Sequence, residues 1–196
     1  MTRAFDRLLK DVRACRLCAE HLPHEPRPVL RAKPTARVCI AGQAPGTRVH
    51  ASGMPFTDPS GDRLRDWLGI DRDTFYDETR VAIVPMGFCF PGLDAKGGDL
   101  PPRKECAPAW RERVFAHLKE IDLTLLVGSY AQAWHLKGRT KATLSDTVRA
   151  WRDYGPAFIP LPHPSWRNNA WIKKNPWFEE ELLPHLRRRV SRILKT

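Results

Sequence analysis

The sequence predicts an α/β fold, three-layer α/β/α with a central four-stranded parallel sheet, in one domain over residues 1–196. Three observations predict it. Four short apolar runs, Val38-Cys-Ile-Ala41, Val81-Ala-Ile-Val84, Leu123-Thr-Leu-Leu-Val127 and Phe158-Ile-Pro-Leu161, alternate with segments of helical periodicity, as expected of a parallel sheet covered on both faces. Each run ends in turn-forming or polar residues: Gly42-Gln-Ala-Pro-Gly46, Pro85-Met-Gly87, Gly128-Ser-Tyr130 and Pro162-His-Pro-Ser165. A length of 196 residues with 42% hydrophobic content suits a single well-formed core.

The elements follow in order. Phe5, Leu8, Leu9 and Val12 share one face of a helix over 3–14. The stretch Leu22-Pro-His-Glu-Pro-Arg-Pro-Val29 is extended or looped, because its prolines cannot be carried by a helix. Helical spacing recurs over 60–69, 107–119, 131–151 and about 177–195. There are no internal repeats and no linker. In open α/β sheets a ligand sits beyond the carboxyl ends of the strands, so the four turn segments are expected to converge on one cleft.

Composition narrows the function classes. No apolar run approaches the roughly 20 residues that span a bilayer, and the first ten residues lack the apolar stretch of a signal peptide. A cytoplasmic protein with no membrane partner is expected, and a monomer. Lys and Arg number 33 against 22 Asp and Glu, a formal net charge of +11. That excess favours a polyanionic partner, since phosphate contacts release condensed counterions.

Three constellations carry chemistry. The first is Cys15-x-x-Cys18 with the distant Cys89 and Cys106; a further thiol, Cys39, falls inside the first strand and reads as a small core residue. A disulfide framework does not suit the cytoplasm, which leaves metal or redox roles. The set suits either zinc or an iron–sulfur cluster, and the long loop separating the second pair suits the wider cluster slightly better. The second is Gly42-Gln-Ala-Pro-Gly46, running on to Gly53-Met-Pro-Phe56-Thr-Asp58, where glycines and prolines fix a tight path and aim backbone amides into the cleft. It matches neither a P-loop nor a dinucleotide fingerprint. The third is Leu161-Pro-His163-Pro-Ser165-Trp-Arg-Asn-Asn169, followed by Lys173 and Lys174. Its histidine, pinned between two prolines, is held rigidly where a hydrogen bond to developing charge is useful. The tryptophan, arginine and asparagines beside it supply stacking and phosphate or base contacts.

Together these motifs resemble the uracil-DNA glycosylase superfamily, in particular its iron–sulfur branch (family 4). That branch reads Gly-Glu-Ala-Pro-Gly and then Gly-x-Pro-Phe, matched here by Gly42 to Gly46 and Gly53 to Phe56. It has His-Pro-Ser in its second motif, matched by His163 to Ser165, and cluster cysteines in the places of Cys15, Cys18, Cys89 and Cys106. Pro85-Met-Gly-Phe-Cys-Phe-Pro91 also resembles a further subgroup related to these enzymes.

The resemblance implies a DNA glycosylase of base excision repair. Such an enzyme flips a damaged nucleotide out of DNA and hydrolyses its N-glycosidic bond. By similarity, His163 donates to a base oxygen, Phe56 stacks on the flipped base, and Gln43 with the 42–46 amides holds the base edge and positions water. Ala44, Met86 and Gly87 would border the base. Ser165, Trp166, Arg167, Asn168, Lys173 and Lys174 would enter the duplex gap and grip phosphates. The four cysteines would hold a 4Fe-4S cluster, with zinc as the alternative.

Three departures mark the sequence. Gln43 replaces Glu, and Ala44 stands where efficient relatives carry a water-activating Asp. Pro85-Met86-Gly87 stands where uracil specificity uses Asn, so base preference is open toward a deaminated or ring-opened purine. Asp58 is the first candidate for water activation, with His50 and Asp99 behind it. Two rivals stay open: a nucleic-acid-binding protein that keeps the fold without activity, and a zinc-stabilised hydrolase of small nucleosides.

Overall fold

The computed structural model describes residues 2–195. Its centre is a parallel sheet of β1 (Val38–Ala41), β2 (Val81–Ile83), β3 (Leu123–Val127) and β4 (Phe158–Leu161), in spatial order β2-β1-β3-β4. Val38 registers with Val81 on one side and Leu123 on the other, and Thr124 registers with Phe158. Every strand is short and almost wholly buried, which is why each reads as an unbroken apolar run.

The helices are α1 (Thr2–Arg13), α2 (Thr47–Ser52), α3 (Pro59–Leu68), α4 (Arg72–Tyr76), α5 (Cys106–Phe115), α6 (Ser129–Leu136), α7 (Leu144–Arg149), α8 (Asn169–Lys174) and α9 (Leu183–Lys195). Side-chain alternation along the strands assigns them to two layers. Val38, Ile40, Ile83, Leu125, Ile159 and Leu161 face a cluster with Leu64 and Trp67 of α3 and Leu186 and Val190 of α9. Cys39, Ala82 and Val84 face the other way, onto Phe5, Leu9 and Val12 of α1 and Val114 of α5. The three-layer α/β/α arrangement expected from the sequence is thus present, and Cys39 is a fully buried core residue.

Two expectations need correction. The single helix over 131–151 is two helices: Lys137 and Gly138 both have positive φ, 46° and 83°, which ends α6 before α7 begins. The terminal helix opens with a π-helical turn at Phe178–Leu182 before α9.

One buried cation ties the second layer to the sheet. Arg111 of α5, 1% exposed, donates from Nη1 to the carbonyls of Val84 and Pro85 at 2.9 and 2.6 Å. Its Nη2 lies 2.6 Å from Nε2 of His135, so that nitrogen accepts and the imidazole is neutral. Burial above all, then the charges of Arg111 and Lys137, holds the His135 pKa down to about 3. Below an unfolded histidine pKa of about 6.5 the unfolded chain takes up a proton that the folded one refuses. This contribution to stability is therefore complete above that pH and is lost as pH falls toward about 3. His135→Gln keeps an acceptor for Arg111 but does not titrate. It is expected to lose less stability than the wild type between about pH 7 and about pH 4, read as the shift in urea midpoint.

Candidate active site

The cleft lies beyond the carboxyl ends of β1 and β2 and encloses about 220 Å³. Its floor is the 42–46 loop. Hydrogen bonding between β1 and β2 continues past both strands: the amides of Val84, Met86 and Gly87 donate to the carbonyls of Ile40, Gly42 and Gln43 at 2.9, 2.8 and 2.9 Å. Gln43 is fixed as well, its Nε2 donating to the Leu100 carbonyl at 3.1 Å. Ala44 lines the cleft beside it.

Phe56 forms one wall. It has φ 55°, a left-handed backbone that a non-glycine residue seldom adopts. Its carbonyl accepts from Arg65 Nη1 at 3.2 Å and lies 2.8 Å from the Tyr76 hydroxyl, which is equally close to the Pro55 carbonyl and can donate to one at a time. Gly61 of α3 makes the turn sterically open, since a Cβ there would stand 1.9 Å from the Phe56 oxygen. The ring then meets Phe75 edge-on at 5.9 Å and lies against Gly42.

His163 stands opposite, carried by the turn after β4. Its carbonyl accepts from Asn168 Nδ2 at 2.6 Å, and the Ser165 carbonyl accepts from Arg63 Nη1 of α3 at 3.1 Å, so the turn is held from within and from α3. Burial lowers the His163 pKa, against the pull of Asp58 and Asp99, which favours the neutral ring. Asp58 and Asp99 both line the cleft. Asp58 precedes α3, and its Oδ1 accepts from Ser60 Oγ at 2.8 Å. Asp99 belongs to a hairpin turn over 92–100 that brings it to the cleft, and burial raises its pKa despite His163 and Arg167. His50 does not line the cleft. It packs on His24 and Phe90 at ring distances of 4.9 and 5.8 Å, and its pKa is lowered by burial, then by His24 and Arg27.

The other expected residues divide. Trp166 is 72% exposed and Arg167 is exposed beside it, at the rim. Ser165 is partly buried, its Oγ accepting from the Arg167 amide, and Asn168 spends its amide on the His163 carbonyl rather than facing outward. Lys173 and Lys174 are exposed in the last turn of α8. Met86 and Gly87 are displaced from the expected base-bordering place. The Met86 side chain is buried with Ala41, Ala107 and Leu126, Gly87 borders the cysteine cavity, and Pro85 lines the cleft instead. The ladder pairing of their amides turns them away. Sequence reading passed over Arg63, Arg65 and Tyr76, whose side chains bind backbone elsewhere in the chain and carry no motif.

Cys15 and Cys18 lie in the turn just past α1, Cys89 in the loop after β2, and Cys106 is the first residue of α5. All four line one small cavity walled by Val12, Leu22, Phe88 and Trp110. Trp110 Nε1 donates to Cys15 Sγ at 3.2 Å and the Phe88 amide to Cys106 Sγ at 3.3 Å, contacts that stabilise thiolate ligands. Burial pushes the thiol pKa of Cys89 up to about 11 and of Cys106 to about 12. Among the described residues no group of three or more His, Cys, Asp or Glu is gathered closely enough for a single metal ion.

The cleft at the carboxyl ends of the parallel strands thus combines an aromatic wall, a histidine whose burial favours the neutral ring, and two carboxylates. The chain belongs to the uracil DNA glycosylase superfamily, whose sequence pattern matches residues 31–187. Cys15 and Cys18 precede the matched span. A solution NMR structure from Methanosarcina acetivorans, of a protein provisionally described as a uracil DNA glycosylase, has a TM-score of 0.44 at 16% identity, over 81% of this chain and 93% of that one.

The Phe56–Gly61 contact yields a direct expectation. Gly61→Ala drives a methyl group into the Phe56 carbonyl and is expected to cost about 1–3 kcal/mol of stability in urea denaturation.

Proposed function

We propose that this chain is a DNA glycosylase that removes uracil or a related damaged base from DNA by hydrolysing the N-glycosidic bond. One observation carries the reading: Phe56, His163, Asp58 and Asp99 line one cleft with the backbone of the 42–46 loop. A flipped base stacks on Phe56 and sets an oxygen against His163. The neutral imidazole donates a hydrogen bond as negative charge develops on the departing base. Gln43 shapes the base edge through the loop it braces. Trp166 enters the gap left by the flipped nucleotide, while Arg167, Lys173 and Lys174 meet phosphates.

We assign Cys15, Cys18, Cys89 and Cys106 to a 4Fe-4S cluster, supported by their shared cavity and by the N–H donors aimed at two of the sulfurs. When bound, the cluster would supply a structural cross-link between α1, the loop after β2 and α5. Cys89→Ser is expected to lose the bound metal, read by metal analysis and visible absorbance, and to lower the denaturation midpoint. Full metal content in that variant would show the ligand set to be wrong.

Pro85 and Ala44 favour a second reading at the level of the base. Neither offers the amide or carboxylate that a dedicated uracil site uses, which admits a deaminated or ring-opened purine. Oligonucleotides bearing uracil, hypoxanthine, xanthine and ring-opened guanine test both. Abasic product from at least one is expected, and its absence from all four would leave a nucleic-acid-binding protein without glycosylase activity. Turnover of free nucleosides unaffected by DNA would instead favour the small-substrate hydrolase.

A further inference from the structure

Resting on the glycosylase reading, we infer that Asp99, rather than Asp58, is the carboxylate that orients and deprotonates the attacking water. The sequence lacks an acid at position 44, and two aspartates from elsewhere in the chain line the cleft. Their surroundings separate them. Asp58 has structural duties: it precedes Pro59 at the start of α3, its carbonyl accepts from the amides of Gly61 and Asp62, and its carboxylate accepts from Ser60. No donor among the described residues hydrogen-bonds the Asp99 carboxylate. A carboxylate without donors and partly out of water is the stronger base.

The backbone around Asp99 is built to hold it there. The amide of Leu100 donates to the Gly92 carbonyl at 2.9 Å, and that of Asp94 to the Gly98 carbonyl at 2.8 Å. The Asp94 carboxylate accepts from the amides of Lys96 and Gly98 at 2.8 and 2.9 Å, closing the turn. Gln43 pins the far end through the Leu100 carbonyl. The carboxylate comes to rest against Gly46, where a Cβ would stand 3.2 Å from Oδ2. A side chain at 46 would crowd the acid, so the last glycine of the loop leaves room for it. Asp99 therefore reaches over the loop that carries Ala44, from the hairpin rather than from the loop itself.

The step balances. The water oxygen bonds to the sugar C1′ while the C1′–N bond breaks, and its electron pair leaves with the base. The water proton passes to Asp99, which returns it to solvent or to the departed base. Asp99 faces His163 from the β4 turn, Arg167 from the rim, Asp58 from the start of α3 and the Gly46 backbone. Burial outweighs the pull of His163 and Arg167 in raising its pKa, so activity should fall on acidification through a midpoint above the ordinary aspartate value.

The test is single-turnover cleavage by the whole chain on the best oligonucleotide of the lesion panel. Asp99→Asn should slow the step by about 10²–10³-fold and remove the acid limb of the pH profile, with oligonucleotide affinity nearly unchanged. Added formate should restore part of the rate to Asp99→Ala, which a purely structural role would not allow. Asp58→Asn should lose less than about tenfold. Wild-type activity with an unimpaired Asp99→Asn, or formate rescue of Asp58→Ala but not of Asp99→Ala, would overturn this assignment alone. A wild type inactive on every lesion would remove the glycosylase reading and this inference with it.

Discussion

The site depends on backbone pairing that outlasts its strands. β1 and β2 end at Ala41 and Ile83, yet the amides of Val84, Met86 and Gly87 go on donating to Ile40, Gly42 and Gln43. Buried amides must find acceptors, and here two of the three, on Gly42 and Gln43, belong to the loop that floors the cleft. The pairing locks the two loops to one another and decides which side chains each can present. It sends the Met86 side chain into the core, and it places Gly87 so that a Cβ there would lie 3.0 Å from Pro102 and 3.5 Å from Ala44. Two residues further on stands Cys89. The cleft and the thiol cavity are thus opposite sides of one short run of backbone.

Much of this was legible in the sequence because it rests on local pattern. The four strands are unbroken apolar runs, and α1 shows its buried face in Phe5, Leu8, Leu9 and Val12. The glycine- and proline-rich turns mark the cleft for the same reason, since their backbone geometry is written in residue type. What the sequence hid depends on pairing at a distance. Met86 looked like a cleft residue because it follows a strand, and only the extended ladder shows it turned inward. Asp58 was legible because it sits beside Phe56 in sequence, and it lines the cleft. Asp99 reaches the cleft through a hairpin whose position is set by Gln43, far away along the chain. The helix over 131–151 failed for a smaller reason: apolar spacing carried across Lys137 and Gly138, where the backbone turns left-handed.

The excess of basic residues is also less available than its count suggests. Many arginines span gaps inside the molecule: Arg27 donates to the carbonyls of His50 and Ala51, Arg80 to Leu194, Arg111 to Val84 and Pro85, and Arg189 to Pro156. A guanidinium has several donors in a rigid fork, which suits it to joining loop carbonyls that have no strand partner. Part of the charge is therefore architecture. Arg167, Lys173 and Lys174 are among those whose side chains remain exposed around or after the histidine turn.

Phe56 shows what such architecture achieves. Its unusual backbone is held by Arg65, Tyr76 and the bare Gly61, all of them outside the surface that a base would touch. The ring is consequently ordered before any partner arrives. An encounter with a planar ligand need not freeze a mobile aromatic, and the entropy of that ordering has already been met during folding. Recognition on this wall should accordingly be governed by the shape of what slides against it, with little adaptation by the protein.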